Sequence, residues 1–95
     1  MATASQSGQR IILEGKLQFP VIFQLRKKVE SMLSLMSGVV EVDFQKVVSV
    51  DSSSLSFWLC CLRYAQGRGI QLQALNIPED MQSIIKLVGL DDQIF

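Results

Sequence analysis

The sequence predicts an α/β fold: a mixed, mostly parallel β-sheet with about three α-helices mainly on one face. Three observations carry this reading. Short β-type runs alternate with amphipathic helical stretches in the order β, β, α, β, α, β, α, which requires crossover connections between parallel strands. The strands after residue 38 put apolar side chains on one face and Glu41, Asp43, Gln71 and Gln73 on the other, so helices cover one side rather than both. The 95 residues, 48% of them hydrophobic, suffice for one compact core.

Each element follows from its local pattern. Residues 1–9 are small and polar and read as a flexible tail ahead of a single domain over residues 10–95. Residues 10–14 (RIILE) form a short β-run ended by Gly15, and Leu17 and Phe19 continue a second extended piece. Pro20 suits the first position of a helix. Val21, Ile22, Leu25, Val29, Met32, Leu33 and Met36 then recur at three- and four-residue spacing, and Gly38 closes that helix. Residues 39–44 alternate as a strand with Val40, Val42 and Phe44 on its buried side. A turn through Gln45 and Lys46 leads to a second apolar run at residues 47–50. Residues 55–66 are a second helix ended by the glycines at 67 and 69. Ile70 opens a strictly alternating strand over residues 70–74. Residues 76–80 start a third helix with Pro78 in its first turn and acidic groups at its positive end; Met81, Ile84, Ile85 and Val88 are its stripe, and Gly89 its stop.

Composition removes whole classes of function. Nine Lys+Arg balance nine Asp+Glu, which argues against a protein held to nucleic acid by phosphate contacts and against a polybasic membrane-surface binder. With no histidine, a His-based nucleophile, a His-ligated metal and a histidine pH switch are excluded. Cys60 and Cys61 are adjacent, a spacing that seldom reaches disulfide geometry, and no CxxC motif is present. Unlinked thiols fit a reducing compartment, and the first ten residues lack the apolar run of a signal peptide, so the cytoplasm is expected. No window approaches a membrane span. No P-loop is present, and the acidic pair Asp91 and Asp92 reads as solvated. The basic run Arg26, Lys27 and Lys28 reads as an outer helix face able to add rim charge to a contact. No catalytic, cofactor-binding or metal-ligating residue is assigned, and no cofactor is expected.

The second helix is apolar nearly all round. Advancing about 100 degrees per residue puts Leu55, Trp58, Leu59, Leu62 and Ala65 on one arc and Phe57, Cys60, Cys61 and Tyr64 opposite. Phe57 and Tyr64 either pack beneath neighbouring loops or form an exposed apolar patch that marks a protein interface. The second reading is preferred, because three helices leave little material to enclose this one on every side. Ahead of the helix stand Asp51, Ser52, Ser53 and Ser54, four side chains able to cap helix amides where one suffices. A hydroxyl at a helix N-terminus is also a good phosphoacceptor, and Asp51 beside Ser52 would oppose the added charge.

The aliphatic strand followed by Val50-Asp51-Ser52-Ser53-x-Leu55 at a helix start, then a Gly-bounded strand, resembles the STAS domain. The closing stretch from Asn76-Ile-Pro78 through Gly89 to Ile94 is similar too, and the pattern looks most like the short, stand-alone members. The resemblance implies a non-catalytic role. In anti-sigma factor antagonists of this family, the position matched by Ser52 is phosphorylated by a partner kinase; in transporter-associated members it lies at the contact with an ATPase. It therefore implies an interface of Asp51, Ser52, Ser53, Ser54, Phe57, Cys61 and Tyr64, with Ser52 as the regulatory position. Ser54 departs from the pattern, where many members have glycine. The partner implied first is the ATPase of a phospholipid-transporting ABC complex, and through it the permease, at the cytoplasmic side of the inner membrane and without membrane insertion. The alternative is an anti-sigma factor antagonist switched on serine. An apolar patch would also make the isolated chain self-associate weakly.

Overall fold

A computed structural model describes residues 2–89. Seven elements follow one another: β1 (Ala2–Ser7), β2 (Arg10–Leu17), α1 (Val21–Leu33), β3 (Val39–Val50), α2 (Ser53–Gln66), β4 (Gln71–Leu75) and α3 (Glu79–Leu87). The strands form one four-stranded sheet in the order β1-β2-β3-β4. β1 runs antiparallel to β2, whereas β2–β3 and β3–β4 are parallel, so the sheet is mixed and mostly parallel as predicted.

The sheet's two faces differ as the alternation requires. Ile11, Leu13, Leu17, Val40, Val42 and Phe44 point beneath the helices and are buried. α1 packs against β1, β2 and α2; α2 lies between α1 and α3 and against β4; α3 reaches β3. α1 contributes Ile22, Leu25, Val29 and Leu33 to the core, and Trp58 of α2 meets Phe44 edge-on at 5.6 Å between ring centroids. The uncovered face carries a polar row. Arg10 Nη2 lies 3.1 Å from Glu41 Oε1 across the β2–β3 pair, and its Nη1 lies 3.8 Å from Asp43 Oδ2.

Five expectations are corrected. Most of the expected flexible tail, residues 1–9, is strand: Ala2 to Ser7 pair in register with Gly15 to Arg10, and Ala4 is buried on the core side. Small polar residues hide this strand from a pattern search, because backbone pairing and one alanine hold it. The two extended pieces expected at residues 10–19 are the single strand β2. α1 begins after Pro20 and ends at Leu33, where the Ser34 hydroxyl donates to Ser31 O at 2.6 Å; Gly38 (φ +76) instead turns the chain into β3.

The fourth correction concerns Gln45 and Lys46, which lie within β3 rather than in a turn. Ile12 pairs with Asp43 but Glu14 with Lys46, so β3 carries an extra residue there, a bulge. Asp43 satisfies it: Oδ1 accepts the Gln45 N–H at 2.9 Å and the Asn76 Nδ2–H at 3.0 Å. The second bond ties the bulge to the end of β4, where Asn76 adopts φ +55. The Asn76 amide, with the Gln45 N–H and the nearby Arg10 and Lys46 charges, holds the Asp43 carboxyl below its usual range against the cost of burial. α3 buries Met81 and Ile85 as expected, while Val88 of the expected stripe is exposed. Asp91 and Asp92 lie outside the described residues.

Candidate functional site

The site is built where β3 meets α2. β3 ends at Val50, and Asp51 bridges two chain segments that are distant in sequence. Its Oδ2 accepts the Phe19 N–H at 3.0 Å, in the loop before α1. Its Oδ1 accepts the Ser53 N–H at 2.9 Å and the Ser53 hydroxyl. Its carbonyl accepts the Ser54 N–H at 3.0 Å and the Ser54 hydroxyl at 2.8 Å. Asp51 therefore performs the N-cap function for α2, one residue ahead of the helical backbone at Ser52 (φ −62, ψ −20). The Ser53 hydroxyl, with the Phe19 and Ser53 amides, draws the Asp51 carboxyl below the ordinary carboxylate range although partial burial opposes this.

The three serines do three different things. Ser53 bonds Asp51. Ser54 is fully buried and closes the first turn, and its position is helical, so the glycine common in the family is not needed there. Ser52 is exposed, and its hydroxyl has no hydrogen-bond partner among the described residues. It is the one hydroxyl of the three free to meet another molecule at the positive end of α2.

The expected patch on α2 is corrected. Phe57 is 2% exposed and Cys61 1%, both on the side of α2 that packs inward, together with Ser54, Trp58 and Ala65. The buried arc is rotated from the one expected: Leu59 is exposed and Leu55 and Leu62 are half-buried. The reason is physical. On a helix apolar all round, side-chain type cannot say which arc meets the sheet, and α1 supplies the cover that the sequence left unassigned. Tyr64 is half-buried with the Arg68 guanidinium 3.8 Å above its ring, about 18 Å along the helix from Ser52. The structure thus gathers Asp51, Ser52, Ser53 and Ser54 at one end of α2 and leaves Tyr64 at the other.

The exposed apolar surface beside the serines comes instead from Phe19 and Phe23. They are 64% and 52% exposed, and their rings meet edge-on at 5.5 Å. The Phe19 backbone is tied directly to Asp51. The sequence held a signal for this pair, because Phe23 falls outside the 22/25/29/33 core stripe of α1. Both thiols are free. Cys60 is half-buried with Arg26 Nη1 3.6 Å from its sulfur, and burial pushes the Cys61 thiol up to about 12, leaving it inert. Among the described residues, no group of His, Cys, Asp and Glu could hold a metal ion, and no helix is long and apolar enough to cross a membrane.

This fold and this strand-to-helix corner define a STAS domain, and the chain belongs to that family: a family model matches residues 1–95. The matching family is described as "Mlab, STAS domain". Among solved structures, the chain is similar to the anti-sigma factor antagonist SpoIIAA in its unphosphorylated form, at 15% identity with a TM-score of 0.76, over 100% of this chain and 86% of that one. A second similarity, at 18% identity and a TM-score of 0.54, is to a structure described as Mglu, over 80% of this chain and 19% of that one. No curated protein matches the sequence. STAS domains such as SpoIIAA are regulatory and non-catalytic.

Proposed function

We propose that this chain is a non-catalytic regulatory subunit that binds the ATPase of an ABC transporter for intermembrane phospholipid transport of the Mla type, a system that maintains outer-membrane lipid asymmetry. The observation that carries the reading is the match of the whole chain to the Mlab family of STAS domains. In this role the ATPase supplies the nucleotide chemistry and this chain supplies a surface, in the cytoplasm and at the inner membrane only through its partner. The surface is centred on Asp51, Ser52 and Ser53 with the Phe19–Phe23 pair beside them; Ser54, Phe57 and Cys61 hold it from beneath. An exposed aromatic pair next to an unpaired hydroxyl fits a protein partner better than a solvated face. The same pair supports weak self-association of the isolated chain at high concentration.

A second reading, an anti-sigma factor antagonist switched by phosphorylation of Ser52, is favoured by the likeness to SpoIIAA and by the exposed Ser52 hydroxyl at the start of α2. One experiment separates the two: affinity purification of the tagged chain from its own cells, with partners and the state of Ser52 read by mass spectrometry. An ABC ATPase with its permease and unmodified Ser52 is the expected result. A small kinase with phosphorylated Ser52 would replace the first reading by the second.

A further inference from the structure

A groove between α1 and α2 runs away from the Ser52 corner. Its first part, about 200 Å³, is lined by Phe23, Phe57, Arg26 and Cys60. It continues past Arg26 and Cys60 to Glu30 and Arg63. Two properties say what fits it. Its wall is apolar and opens beside the exposed Phe23 ring, which suits a seated aliphatic or aromatic side chain. Its charge is unbalanced: Arg26 and Arg63 face the single Glu30, and neither arginine has a carboxylate within salt-bridge distance among the described residues.

Arg26 is the sharper of the two observations. Among the described residues, its Nε is buried without a hydrogen-bond acceptor, and its Nη1 meets only the weakly accepting Cys60 sulfur. A buried guanidinium N–H lacking an acceptor is costly, and a carboxylate is the acceptor whose geometry matches the guanidinium fork.

We infer that the α1–α2 groove receives an acidic segment of the ATPase subunit, its apolar side chain seated against the exposed Phe23 ring and its carboxylate on Arg26. This rests on the transport-subunit reading. It goes beyond the Ser52 corner by adding a second anchor of defined chemistry, in which apolar burial supplies affinity and the Arg26 pair fixes register.

The groove carries its own reporter. Cys60 lines it and is only half-buried, whereas the neighbouring Cys61 is buried and unreactive, so maleimide labelling reads Cys60 alone. The full chain is co-expressed with the ATPase, and affinity and N-ethylmaleimide labelling are measured for the unaltered chain, Phe23→Asp, Arg26→Glu and Arg26→Lys. The expected result is protection of Cys60 in the complex and at least about a thirtyfold loss of affinity for Phe23→Asp and Arg26→Glu at unchanged melting temperature. Arg26→Lys should retain part of the affinity, and added salt should weaken the unaltered complex more than the Arg26→Glu complex. An ATPase that binds all variants equally, with Cys60 labelled at the free-chain rate, overturns the inference and leaves the transport reading standing. An unaltered chain that captures no ATPase overturns the transport reading, and the groove's proposed occupant with it.

Discussion

The two sides of α2 do different work. The inner side, with Ser54, Phe57, Trp58, Cys61 and Ala65, is core: it meets Phe44 of the sheet and is enclosed by the neighbouring helices. The other side, with Ser52 at its tip and Cys60 and Arg63 further along, borders the corner and the groove where a partner is proposed to sit. Residues one position apart, such as Cys60 and Cys61, therefore belong to different functions. A helix apolar all round can thus serve a core and an interface at once, and substitutions on its two sides should separate stability from binding.

The largest effect expected is from Phe57→Asp, which breaks the inner side. Loss of the buried ring alone costs about 3–5 kcal/mol, and a carboxylate left in its place adds to that, so urea denaturation should find little or no folded protein. Phe23→Asp, on an exposed ring, should shift the same transition by no more than about 0.5 kcal/mol. Equal midpoints for the two variants would erase the distinction between the sides. Next comes Asp51→Ala, which removes the cap and the tie to Phe19 together; a loss of about 1–2 kcal/mol is expected in the same assay.

Acid should act through the same carboxylate and through Asp43. Both have folded-state values below the ordinary one, so the unfolded chain binds protons at higher pH than the folded chain does. The stability they contribute is fully present above the unfolded value of about 3.9 and is lost as pH falls through the folded values. Thermal melts should therefore be flat between about pH 7 and 5 in this respect and fall below about pH 4, with a shallower fall in Asp51→Asn and Asp43→Asn. Ser54→Gly, which restores the family's common residue, should cost about 1 kcal/mol by removing a buried hydroxyl bond and loosening the first helical turn. Smallest of all is Ser52→Ala: a stability change within about 0.5 kcal/mol, because its hydroxyl bonds nothing among the described residues. A larger change would mean that Ser52 belongs to the scaffold rather than to the surface.

Much of this was legible in the residues, and the failures share a cause. The alternation of strands and helices after residue 20, the core stripe of α1 and the polar face of the sheet follow from periodicity, because each places one apolar side against one neighbour. β1 was missed because Ala2, Thr3 and Ser5 carry almost no apolar signal; its stability comes from pairing with a strand that the sequence showed clearly. The single β3 was split at Gln45 because a bulge held by the Asp43 side chain looks, residue by residue, like a turn. At the site, the capping role of the Asp51–Ser53 cluster was readable from residue type. Its division of labour was not, since which hydroxyl is buried, bonded or free depends on helix phase to within one residue. The aromatic pair beside it was overlooked for a related reason. Phe19 and Phe23 become neighbours of Ser52 only once Asp51 draws the loop before α1 onto the start of α2.

The sheet's wiring also has a consequence in time. β1 and β2 are joined by Gly8 and Gln9 alone, with Gly8 at φ +59, so this hairpin is a local event that can close in about 1–10 μs. β2 and β3 must find each other across a whole helix, as the 31-residue separation between Arg10 and Glu41 records. Loop closure on that scale precedes any reward from parallel pairing, so the rate-limiting step of folding is expected at β3, the strand with a parallel partner on each side. Conservative core substitutions such as Val42→Ala should then slow refolding, whereas Ala4→Gly in the edge hairpin should mainly quicken unfolding. The two limbs of a chevron plot distinguish these outcomes, and the strand with the weakest apolar pattern would be the one whose contacts matter least to how fast the protein forms.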